Sequence, residues 1–141
     1  MHAETPGISA TLARLAERGM DLDGIATWAA HVWHDIDSAL APIIGHAGVA
    51  ALYRRSLYLT RAGHRCLAVV YEATPASDEY TTLKTALSQQ TLADATAAIS
   101  ALLQTFHDLL THLIGESLAE RLLRSVWDNP SSGHAVQDSL S

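Results

Sequence analysis

Two apolar stripes, each closed by a glycine, constrain this chain more than any other feature. From Leu22 the apolar positions run Leu22, Ile25, Ala29, Val32, Ile36, Ala39, Ile43; from Leu92 they run Leu92, Ala95, Ile99, Leu102, Phe106, Leu109, Leu113. Both step alternately by three and four residues, which lines one face of an α-helix. Leu40, Leu103, Leu110 and Ile114 widen the stripes into core-facing surfaces. Gly45 and Gly115 then fall where each helix would stop, because glycine accepts the left-handed backbone that follows a helix C-cap.

The two segments also align with each other. At an offset of 70, "IIGHAGVAALYRRSL" from Ile43 matches "LIGESLAERLLRSVW" from Leu113 at Ile44/Ile114, Gly45/Gly115, Leu52/Leu122 and Arg54/Arg124. A duplicated helix–glycine–helix unit leaves such a pattern, and so does chance in Ala/Leu-rich sequence; the shared construction needs only the periodicity. Asp21 or Asp23 can cap the first long helix, Ser77 a short one and Thr91 the second long one. Ser117 with Glu120 reads as an S-x-x-E capping box restarting the chain after Gly115.

The predicted fold class is therefore all-α, with a four-helix core built from two helix–Gly–helix hairpins, roughly 22–64 and 92–127. A leading helix is expected over 8–18 and a short amphipathic helix within 77–90. The run "RCLAVVYEA", 65–73, has strand-like β-branched residues but no partner strand elsewhere, and is read as helix. Residues 1–127 form one helical domain on this reading, and the Ser-, Gly- and Pro-bearing 128–141 a disordered polar tail. The composition agrees, since 48% of the 141 residues are apolar but only 6% aromatic.

A net charge of −6 argues against nucleic acid as a partner. Nothing approaches the roughly 18 uninterrupted apolar residues of a membrane span. The first ten residues have neither the basic start nor the apolar run of a signal peptide, and the lone Cys66 fits a reducing compartment. The expectation is a soluble cytoplasmic protein.

Four groups of residues invite a functional reading. In "HVWHD", His31 and His34 are three apart, as two ligands of one metal would be. They lie with Thr27 and Ser38 opposite the apolar stripe, and the outside candidates His107 and His112 do not complete a site, because His107 shares a polar face with Ser100, Gln104 and Thr111. The histidines are read as solvated or interfacial, and no metal or cofactor is assigned. Trp28 and Trp33 flank the stripe at its margins, where partly exposed aromatics beside His31 suit a protein–protein contact; the opposing reading has connecting helices covering both rings. Arg54, Tyr58, Arg61 and Arg65 are spaced by four, three and four, forming one basic stripe if the helix continues through Gly63. Such a stripe suits an anionic ligand or acidic partner, or else pairs with Asp35, Asp37 or Glu72 as an ordinary solvated face. Cys66, among apolar neighbours, is expected to be buried and inert.

No nucleophile elbow, phosphate loop or catalytic dyad is legible, since His34–Asp35 and His107–Asp108 are adjacent and diverge by about 100° on a helix. The sequence thus points to a non-enzymatic binding or signalling bundle, acting as a homodimer or through a protein partner. The alternatives are a sensor of small anions, using the Arg54–Arg65 stripe or a pocket between hairpins, and metal or haem binding through the surface histidines.

Overall fold

The computed structural model describes residues 6–73 and 80–128. These form six α-helices with no strand among them: α1 (Pro6–Glu17), α2 (Leu22–Thr60), α3 (Arg65–Ala73), α4 (Thr81–Ser88), α5 (Leu92–Ile114) and α6 (Glu116–Asp128). The all-α class holds, and 65–73 is helical. The expected Ser77 cap and the polar tail beyond 128 lie outside the described residues.

Helix α2 is two arms, 22–44 and 46–60, hinged at Gly45, whose φ 82°, ψ 156° no helix contains. Trp33 and Tyr53 measure the bend. Twenty residues of straight helix would separate them by about 30 Å, yet their ring centroids are 4.8 Å apart. The second arm therefore folds back along the first. Gly115, between α5 and α6, has nearly the same backbone, φ 93°, ψ 153°.

Local chemistry repeats as well. Asp21 accepts a hydrogen bond from the Gly24 N–H at 2.9 Å, and Thr91, seventy positions on, accepts one from Asp94 N–H at 3.1 Å. Burial follows the same offset: Ile25 and Ala95, Val32 and Leu102, Trp33 and Leu103, Ile36 and Phe106, Leu40 and Leu110, Val49 and Ala119, Tyr53 and Leu123 are buried in pairs. The capping box is a correction. Gly115 donates to the Thr111 carbonyl at 2.8 Å and accepts from the Ala119 N–H at 3.0 Å, so it closes α5 and opens α6 itself. Ser117 lies inside α6.

The two hairpins share a core, and α1 crosses to the far half of the chain. α1 packs on α5 and α6, while α4 packs on α2 and α3. Trp33 is at the centre, edge-on to Phe106 at 4.8 Å and to Tyr53, with Tyr80 stacked on it at 5.9 Å. Tyr80, the N-cap of α4, has a left-handed backbone (φ 71°), an uncommon conformation for so bulky a residue. By length and composition α2 would also pass for a membrane-crossing helix. Its most apolar stretch, around Gly45, keeps Pro42, Ile43, Ala47, Ala50 and Ala51 exposed.

Candidate functional site

Trp28 and Trp33 are 3% and 0% exposed, which corrects the expectation that they stand at an open margin. Tyr53, Tyr80 and Phe106 close over Trp33, and the opposing reading, in which other elements cover the rings, describes what the burial shows. Neither indole N–H finds an acceptor among the described residues. With both rings inside, only His31 of the expected contact group faces outward. His34 is exposed too, edge-on to Tyr80 at 5.3 Å. Among the described residues no three His, Cys, Asp or Glu side chains are grouped to hold a metal ion. His107 is buried, correcting its assignment to a polar face.

The arginine group is reorganised rather than dispersed. α2 ends at Thr60, where Ser56 and Thr60 hydroxyls donate to carbonyls one turn back (Leu52 at 2.8 Å, Ser56 at 2.7 Å), and the Gly63 N–H turns to the Thr60 carbonyl. The helix does not run through Gly63, so Arg65 begins α3 and leaves the stripe. Its expected place beside Arg54, Tyr58 and Arg61 is taken by Tyr71, which α3 carries back against the second arm of α2. Nothing in the local spacing announces Tyr71, seventeen positions from Arg54; the helix–turn–helix at 61–64 does.

These side chains form a stacked array. The Arg61 guanidinium lies over Tyr58, 3.8 Å from the ring centroid, and 5.9 Å from that of Tyr71. Arg54 lies over Tyr71 at 4.3 Å and Arg55 over Tyr58 at 5.5 Å. The two tyrosine rings are 5.7 Å apart. Arg54 donates to the Tyr71 carbonyl at 3.3 Å and Arg61 to the Tyr58 carbonyl at 2.7 Å. Each contact over a ring contributes about 0.5–1 kcal/mol at an exposed site, enough together to bias long side chains toward one arrangement.

Among the described residues none of Arg54, Arg55, Arg61 and Arg65 forms an ion pair with a carboxylate. Asp37, one of the expected partners, is instead bonded to His46 at 2.8 Å across the Gly45 bend. Arg54 and Arg61 each commit one N–H to a carbonyl, and a guanidinium has five. The result is a fixed, half-stacked bank of cations with donors to spare, on a chain whose net charge is −6.

Two ionisable groups in the interior are shifted. Burial pushes the Cys66 thiol above its ordinary value, with the Asp94 charge adding to the rise and backbone hydrogen bonds opposing it. Burial, then the nearby Asp37 charge, pushes the Tyr80 phenol well above its ordinary range. Neither is poised for proton transfer near neutral pH. No protein-family model, curated protein or solved structure matches this chain.

Proposed function

We propose that this chain is a non-enzymatic binding module, acting in the cytoplasm, whose contact face is the Arg54–Tyr58–Arg61–Tyr71 surface and whose partner is an anionic protein segment. One observation supports this above the rest: three guanidinium groups are held on two tyrosine rings without a carboxylate of their own among the described residues. Pre-stacked arginines lose less side-chain freedom on binding than free ones, and their planar forks match carboxylate or phosphate oxygens. The lone Cys66 favours a reducing compartment.

Calorimetry with a glutamate-rich peptide and its glutamine counterpart tests the reading. The acidic peptide binds, its affinity falls with salt, and Arg61→Ala weakens it about tenfold, the effect of losing roughly 1.4 kcal/mol. Equal binding of both peptides, or none of either, refutes it. A thermal-shift series with inorganic phosphate separates a small-anion sensor from a protein contact.

Self-association is the second reading. It is favoured by Ile43 and Leu113, 49% and 59% exposed at equivalent positions two residues before each bend glycine. Light scattering decides it: a dimer dispersed by Ile43→Glu supports this reading, and a monomer at every concentration removes it.

A further inference from the structure

The two halves of the chain provide an internal control for one another. The second arm of α2 and helix α6 occupy equivalent places, each folding back after a bend glycine, with Val49/Ala119 and Tyr53/Leu123 buried alike. Their outward positions therefore correspond. In α6 those positions are Ser117, Glu120, Arg121 and Arg124, all exposed, the mixed charge of a solvent face. In the second arm the same positions are Ala47, Ala50, Ala51 and Arg54, also exposed. At two of these positions, 50 and 51, the second arm carries methyl groups where α6 carries Glu120 and Arg121, and at a third Ala47 stands for Ser117.

The bare strip runs directly into the cation bank. Ala47, Ala51, Arg54 and Tyr58 are spaced by four, three and four, one line along the helix about 17 Å long. Resting on the proposed function, we infer that this arm docks an amphipathic partner helix: apolar side chains against Ala47, Ala50 and Ala51, and carboxylates on Arg54 and Arg61. Alanines allow two helix axes to approach to the short end of the usual 8–10 Å range. The spare guanidinium donors then specify acidic residues beyond the apolar stretch. Charge complementarity selects this occupant over a second copy, because two such arms set against each other bring no carboxylate to either bank.

The test is selection from a helix-biased peptide library on the full chain, followed by anisotropy on the recovered peptides. The key variant is Ala50→Glu with Ala51→Arg, which dresses the first half in the second half's surface and touches no buried residue. Recovered sequences carry apolar residues at three- and four-residue steps followed by Asp or Glu; both the double variant and Arg61→Ala weaken them about tenfold or more, as for central contact residues. Acidic peptides without apolar periodicity, indifferent to the double variant, leave the anion-binding function standing and overturn the helix. Recovery of non-acidic peptides, or of none, overturns both. A dimer dispersed by the double variant, or binding to phosphatidylcholine–phosphatidylserine vesicles in place of peptide, overturns the assigned occupant.

Discussion

Replacing Gly45 by alanine distinguishes a bent α2 from a straight one by the sign of the stability change. At φ 82°, ψ 156° the residue occupies a region populated almost only by glycine, where an L-residue costs about 1–3 kcal/mol. A Cβ built on Gly45 meets no atom within 4 Å, so the whole penalty is backbone strain and no neighbour can relieve it. At about 4 °C per kcal/mol for a domain of this size, the melting midpoint falls by roughly 4–12 °C. Within a straight helix the same change would stabilise the chain by about 1 kcal/mol, since glycine is that much poorer than alanine as a helix former. Urea unfolding followed by far-ultraviolet circular dichroism measures the difference. Gly63→Ala is the control: its Cβ would come no closer than 4.0 Å to the Thr60 carbonyl and its φ is not left-handed, so the midpoint stays level or rises slightly. D-alanine introduced at 45 by semisynthesis recovers most of the loss, because the mirror residue is at home at positive φ. A rise in stability for L-alanine at 45 would refute the hinge and the hairpins built on it.

Asp21→Ala and Thr91→Ala each remove one N-cap bond and cost about 1 kcal/mol, with similar shifts in urea midpoint; a null effect at both would remove the caps from the account. Cys66 and Tyr80 hold their protons more tightly folded than unfolded, from ordinary values of 9.0 and 10.0. The unfolded chain therefore deprotonates first. Their contribution to stability is complete below about pH 9 and declines as pH climbs through 9 and 10. Urea midpoints across pH 8–11 read this decline, and Tyr80→Phe flattens its upper part; an unchanged slope would show that Tyr80 is not the group responsible. The thiol of Cys66 reacts with Ellman's reagent slowly in the native protein and promptly in urea, whereas rapid native reaction would place it at the surface.

Much of this fold is legible in the residues because its governing signals are local. Stripes stepping by three and four, glycines at 45 and 115, and capping residues at 21 and 91 each act within a few positions of themselves. What escapes sequence reading is what a distant element does. Trp33 looks marginal on its own arm and is enclosed because Tyr53 folds back across the Gly45 bend and Tyr80 and Phe106 arrive from farther along the chain. His107 shares a helical face with Ser100, Gln104 and Thr111, yet tertiary packing buries it. The basic group shows both cases at once. Arg54, Tyr58 and Arg61 follow from spacing, whereas replacement of Arg65 by Tyr71 depends on a turn whose length the spacing does not encode. Ser117 misleads for a simpler reason: α6 begins at Glu116, directly after Gly115, so Ser117 is already helical and does not stand at the N-cap position.

The seating of α1 across the chain on α5 and α6, and of α4 back on α2 and α3, bears on how the polypeptide matures as it leaves a ribosome. The first hairpin emerges with its central indole covered by Tyr53 alone until Tyr80 and Phe106 follow. Helix α1, which precedes both hairpins, finds its seat only once α5 and α6 have followed. Burial of the first half's apolar face thus waits on the second half, and a chain cut between the halves presents greasy surface to whatever holds it.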